Sequence, residues 1–170
     1  MFAFKDRRRS RRIDLRLPVG LLAFVIATDQ ITKAAAEKYL AHTGEIPVMG
    51  GLVTFSLVKN FEGFLGVARG LPTSLQFFFL YVCVGILLAA CIFYLFLLRR
   101  PNPSYILPLC LVTGGGLSNL LDRILHGGGV TDFVFLTVGR LSTGIFNLAD
   151  VYILVGSFIF GFFLFSRPGR

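Results

Sequence analysis

Four long apolar runs leave this chain few places to fold other than a lipid bilayer. They cover residues 17–39, 75–98, 105–121 and 147–165, each near the ~20 residues that carry a helix across the hydrocarbon core. The third is the shortest and is expected to tilt little. Composition supports the same class. Of 170 residues, 55% are hydrophobic and 15% charged, with a mean hydropathy of +0.75. Soluble domains average about 45–50% apolar and about 25% charged residues, and a single soluble core has no use for the excess.

The formal net charge of +8 raises nucleic acid as a partner, but its distribution argues against one. Seven of the 17 basic residues crowd into the first 16 positions. They lack the aromatic interleaving that stacks bases, and a basic block beside an apolar run suits an anionic leaflet. Further basic residues sit at Arg99 and Arg100, between the second and third runs, and at Arg167 and Arg170. By the positive-inside rule both termini are cytoplasmic, and the loops at 40–74 and 122–146 face outward. The first run holds Asp29, Gln30 and Lys33 and has no clear A-x-A site, so it is expected to be a retained span, not a cleaved leader. The expected organisation is a basic cytoplasmic arm (1–16), one transmembrane domain (17–166) and a short cytoplasmic tail (167–170), with no internal repeat.

The outward loops carry their own signal. Gly51 to Val58 and Val130 to Phe135 are rich in strand formers with partial alternation, and Gly127 to Gly129 permit a sharp turn before the second segment. The fold class expected is an all-α membrane protein of four transmembrane helices with a small extracytoplasmic β-rich platform. The stretch from Asn60 to Leu71 reads as a flap or short interfacial helix. Cys83, Cys91 and Cys110 all lie inside apolar runs and read as small buried hydrophobes.

Charged residues inside a span are costly and mark function by default. Asp29 and Lys33 stand four apart in the first run and suit an i,i+4 pair, either a packing pair or part of a site. Asn119, Asp122 and Arg123 follow three glycines at the end of the third run and share one helical face; a polar helix cap is the plainer reading. Asp132 ends the Val-Thr-Asp sequence, and Asp150 opens the fourth run three residues after Asn147. If the third and fourth spans are neighbours, the two carboxylates meet at the outer boundary. A carboxylate pair sharing one site holds one proton, leaving one base and one acid. On spacing alone, a simple helix cap at Asp150 is the plainer reading. His42 and His126 are isolated, and no HExxH, GxSxG or P-loop pattern occurs; neither metal nor cofactor is expected.

Taken in order, Asp29-Gln30-Ile31-Thr32-Lys33, Asn60, Gly115 through Arg123, Val130-Thr131-Asp132-Phe133 and Phe146-Asn147-Leu148-Ala149-Asp150 resemble the lipoprotein signal peptidase (signal peptidase II) family, over most of the chain. Each motif is weak singly; the ordered set is specific. The resemblance implies a membrane-embedded aspartic endopeptidase that cuts prolipoproteins just before a cysteine bearing a diacylglyceryl group. It implies Asp132 and Asp150 as the catalytic pair, with Asn60, Asn119, Asp122, Arg123, Asn147, Asp29 and Lys33 in binding or supporting roles. It also implies residence in the bacterial cytoplasmic membrane with the site at its outer face. Membrane lipid and prolipoproteins are the expected partners, nucleic acid is not, and a monomer suffices. One departure stands out: Glu62 occupies a position where family members commonly carry glycine after the loop asparagine, so backbone strain is expected there. A small transporter and a catalytically inert binding relative are the rival classes. No polar path crosses the inner halves of the spans, which argues against the first, and the intact aspartate pair argues against the second.

Overall fold

The computed structural model describes residues 14–63, 68–98 and 102–166. The basic arm up to residue 13, the Arg99–Arg100 turn, the tail from 167 and positions 64–67 of the expected flap lie outside the described residues. Among the described residues, four helices are long and apolar enough to span a membrane: α1 (Arg16–Leu40), α2 (Thr73–Leu97), α3 (Pro103–Leu125) and α4 (Leu148–Phe165). The expected fold class holds. The third span is longer than its apolar run suggests, because Asp122 and Arg123 continue the helix: both are buried in the bundle, so their charges do not mark its end.

The bundle is organised around α3, the most enclosed of the four helices. Asn102 caps its start by accepting from the Ser104 N–H at 3.1 Å, with Pro103 in the first turn, where its missing N–H costs nothing. Its three consecutive glycines face three different helices. A methyl group at Gly114 would meet Val25 of α1 at 2.7 Å, at Gly115 the Ala149 carbonyl of α4 at 2.6 Å, and at Gly116 Leu88 of α2 at 2.6 Å. Lipid removes the hydrophobic drive for helices to associate, so close backbone approach through small residues is what holds such a bundle. Gly156 of α4 repeats the device against the Pro108 carbonyl, 2.7 Å from where its Cβ would lie.

Outside the helices lies a four-stranded antiparallel sheet in the order β1 (Ile46–Val48), β2 (Val53–Asn60), β3 (Val130–Val138), β4 (Leu141–Ser142). The first expected strand starts two residues later than Gly51, since Met49, Gly50 and Gly51 form a left-handed turn. A one-residue bulge in β2 separates the Phe55–Val134 pair from the Val58–Asp132 pair. Side chains alternate between sheet faces, and an extra residue flips every position beyond it. Past the bulge, Asn60 therefore shares a face with Asp132, while Lys59 and Thr131 share the other.

Candidate active site

Asp132 reaches the site from β3 and Asp150 from the first turn of α4. The link between them is Asn147. Its predecessor Phe146 is pinned to the sheet: the Phe133 and Val134 N–H groups donate to its carbonyl at 3.1 Å, and its own N–H donates to Val134 at 2.8 Å. Asn147 then caps α4, accepting from the Asp150 N–H at 3.0 Å while its own N–H donates to Asp150 Oδ2 at 3.2 Å. This reciprocal capping satisfies donors that a helix start leaves unpaired. The same residue donates from Nδ2 to Asp132 Oδ1 at 2.7 Å. One asparagine thus holds both carboxylates.

Each carboxylate has a second amide donor. Asn60 Nδ2 donates to Asp132 Oδ2 at 2.8 Å, and Asn119 Nδ2 donates to Asp150 Oδ1 at 2.9 Å. Asp132 is 1% exposed and Asp150 8%. Burial pushes the Asp132 carboxyl up to about 7; the Asn60 and Asn147 donors oppose the rise, and the neighbouring Asp150 charge adds to it. Asp132 is therefore protonated over much of the acid range and exchanges its proton near neutrality.

A layer of charge lies behind the pair. Lys33 Nζ meets Asp29 Oδ2 at 2.7 Å, Asn119 Oδ1 at 2.8 Å and Asp122 Oδ2 at 3.1 Å, so all three ammonium protons have acceptors. Asp29 also accepts from Ser118 Oγ at 2.7 Å and from the Ala149 N–H at 2.8 Å, placing an anion at the N-terminus of α4, where the helix dipole favours one. Asp122 accepts from Gln30 Nε2 at 2.9 Å and from the Thr131 N–H at 3.1 Å, one residue before Asp132. The Asp29–Lys33 pair is thus the hub between α1, α3, α4 and β3.

A cavity of about 320 Å³ opens beside the carboxylates. Asn60, Asn119, Arg123, Asp132 and Asp150 line its polar end, and Phe79, Leu80, Val84 and Ile153 its apolar walls. Asn119, Asp122 and Arg123 do not act as one face, as their spacing suggests. Asn119 and Arg123 line the cavity, whereas Asp122 turns toward α1. Arg123 is 7% exposed, its Nη1 makes a 3.4 Å contact to the Asn119 carbonyl, and its Nε has no partner among the described residues.

The strain expected at Glu62 is absent. Among the described residues the only non-glycine with positive φ is Met49, and the left-handed position in this loop is Gly63, at φ 80°. The glycine requirement has moved by one residue. Glu62 instead donates its N–H to Asn60 Oδ1 at 2.9 Å and pairs with Arg69 Nε at 2.7 Å. The described ends of the expected flap form a bend and a turn, with no helix.

Sequence reasoning assigned no role to Gln30, Ser118, Glu37, Lys59 or Thr131. Lys59 Nζ bridges Glu37 at 2.6 Å and Thr131 Oγ1 at 2.7 Å, tying the back face of the sheet to α1. The signal for Glu37 was its spacing: Asp29, Lys33 and Glu37 form an i,i+4,i+8 stripe. Lys59 and Thr131 each flank a site residue in a strand, and so mark its opposite face.

Known proteins resemble this chain in sequence and in fold. A lipoprotein signal peptidase of Caldanaerobacter subterraneus subsp. tengcongensis is 32% identical over 155 residues, covering 90% of this chain and 99% of that protein. One from Treponema denticola is 34% identical over 153 residues, covering 83% and 84%. The fold matches that of a bacterial membrane enzyme solved by the in meso method at 1.9 Å, with TM-score 0.78 and 22% identity over 94% of this chain and 99% of the other. The family model described as "Signal peptidase (SPase) II" matches residues 21–166, from within the first membrane helix to just past the last, and on that span the chain belongs to the signal peptidase II family.

Proposed function

We propose that this membrane-embedded endopeptidase removes signal peptides from prolipoproteins with Asp132 and Asp150 as its catalytic pair, cutting before a diacylglyceryl cysteine. The observation that carries the assignment is Asn147. It donates to Asp132 from its side chain and to Asp150 from its backbone, holding two buried carboxylates at one cavity wall.

The mechanism follows from that pairing. Two close carboxyls share one proton. The ionised member takes a proton from water, the water oxygen bonds to the scissile carbonyl carbon, and the protonated member donates to the carbonyl oxygen. Collapse of the tetrahedral species breaks the C–N bond as the leaving amine takes a proton from the pair. The products are a signal peptide ending in a carboxylate and a lipoprotein beginning with the modified cysteine's free amine. Asn60, Asn119 and Asn147 hold the carboxylates in place, and Lys33, Asp29 and Asp122 hold the asparagines and strand. The Arg123 guanidinium, at the polar end of the cavity, suits a substrate carbonyl.

The apolar walls of the cavity fit hydrocarbon from the signal helix or acyl chains. The basic arm and turns favour cytoplasmic termini, which puts the pair at the outer face, where a membrane-anchored substrate presents its cleavage point. All the proposed site residues come from a single chain, so a monomer is sufficient. The test is cleavage of a diacylglyceryl-modified prolipoprotein by purified protein in detergent, beside Asp132→Asn and Asp150→Asn. Cleavage by wild type alone supports the reading, and near wild-type turnover by either variant sinks it.

A further inference from the structure

Asp132 and Asn60 belong to two cavities at once. Besides the one with apolar walls, a second of about 490 Å³ is lined by Lys59, Phe61, Glu62, Arg69 and Ile145 together with the two shared residues. A polypeptide whose scissile bond sits at the pair must leave in two directions. The cavity walled by Phe79, Leu80, Val84 and Ile153 suits the apolar part. The other, with Lys59, Glu62 and Arg69 on its wall besides Asp132, suits a hydrated segment.

Those charges are not equally available. Lys59 is committed to Glu37 and Thr131. Among the described residues, the Glu62 and Arg69 side chains answer only each other, at 2.7 Å, and are 39% and 77% exposed. Ion pairs that exposed are weak, so a substrate charge competes readily for either partner. Glu62 is nevertheless well placed: its N–H donates to Asn60 Oδ1, and Asn60 donates to Asp132. The Glu62 carbonyl accepts from Ala68 N–H at 2.8 Å, which brings Arg69 alongside.

We infer that this second cavity binds the first residues of the mature polypeptide, those following the scissile bond, and that the Glu62–Arg69 pair sets their charge preference by cancelling itself. The inference rests on the peptidase reading above. With both partners present, acidic and basic segments are accepted alike. Removing Glu62 leaves Arg69 to attract acidic residues, and removing Arg69 leaves Glu62 to attract basic ones.

The experiment uses three synthetic prolipoprotein peptides carrying a diacylglyceryl cysteine, identical except that two serines, two aspartates or two lysines follow it. kcat/KM is measured for the full-length wild type, Glu62→Gln, Arg69→Gln and the swapped double variant Glu62→Arg/Arg69→Glu. The readout is the aspartate-to-lysine ratio within each protein, which a general loss of folded enzyme does not move. The wild-type ratio is expected near one. It should rise roughly fivefold in Glu62→Gln and fall roughly fivefold in Arg69→Gln, the size of a screened surface charge contact, with both shifts shrinking at ~1 M salt. The double variant should return it to near one. A ratio that stays constant across the proteins while wild type cleaves the serine peptide overturns the subsite and leaves the peptidase standing. Failure of wild type to cleave any of the peptides overturns the peptidase reading and the subsite with it.

Discussion

Helix α3 is packed in two different ways along its length. Toward its N-terminus, Ile106 and Cys110 sit in an apolar cluster with Leu95 of α2, backed by Leu21 and Leu22 of α1. Toward its C-terminus, Ser118, Asn119, Asp122 and Arg123 are just as buried but are held by hydrogen bonds and charge. In a bilayer the first kind of contact merely exchanges lipid tails for side chains, so it is graded and forgiving. The second is close to all-or-none. Each polar group is costly unless its partner is present, and removing one member strands several others. The difference separates the part of the bundle that only has to pack from the part that has to hold two carboxylates in fixed positions.

The sharpest way to break the polar half is at the pair itself. Asp132→Asn and Asp150→Asn should each lower kcat about 10²–10⁴-fold, the usual worth of acid–base groups. Their thermal unfolding in detergent should fall only modestly, because each amide keeps its oxygen toward one donor, loses a buried charge, and sets an NH2 against the other donor. Lys33→Met should come next. It leaves Asp29 and Asp122 buried without their cation, and breaking such a pair costs about 3–5 kcal/mol. The unfolding midpoint should fall steeply along with activity; a variant as stable as wild type would show that the hub is not what binds the helices there. Gly115→Val tests the glycine seam between the two halves. Its side chain meets the Ala149 carbonyl and Ile153, so overpacking of about 1–3 kcal/mol is expected, with activity lost through displacement of the first turn of α4.

The smallest effect is a pH shift. Because Asp132 is raised to about 7 by burial, turnover should decline as pH climbs through neutrality and the pair loses its shared proton. The sign for stability is the same. A raised carboxyl keeps its proton in the folded chain after the unfolded chain has released it, so its stabilising contribution is full in acid and lost as pH rises through about 7. Asn60 lowers that carboxyl by donating to it, so Asn60→Ala should move the alkaline limb of the kcat profile to higher pH. A limb that moves down instead would show that Asn60 does not act through the Asp132 charge.

Much of this was legible because bilayers read sequences simply. Hydropathy gave the spans and alternation gave β2 and β3, while the helix cap expected at Asp150 is made by Asn147, with Asp150 as its partner three residues on. What stayed hidden depended on partners far away in the chain. The end of α3 was read too early because Asp122 and Arg123 look like a terminus until Lys33, Gln30 and Thr131 surround Asp122. The bulge in β2 has no glycine to announce it, yet it decides that Asn60 and Asp132 share a face. The π-type turns of α2, at Phe78–Cys83 and Phe93–Leu97, carry no proline or charge that would mark them. At Glu62 the sequence pattern suggested strain, and one residue of displacement to Gly63 removed it.

The double duty of Asn147 also has a consequence for timing. The residue that starts the last helix is the one that binds the first carboxylate, and the second carboxylate lies three positions further on. A chain inserted from its N-terminus therefore lacks the proposed Asp132–Asp150 pair until its final span is in place. On the proposed reading, closing the bundle with the last span is the step that completes the pair.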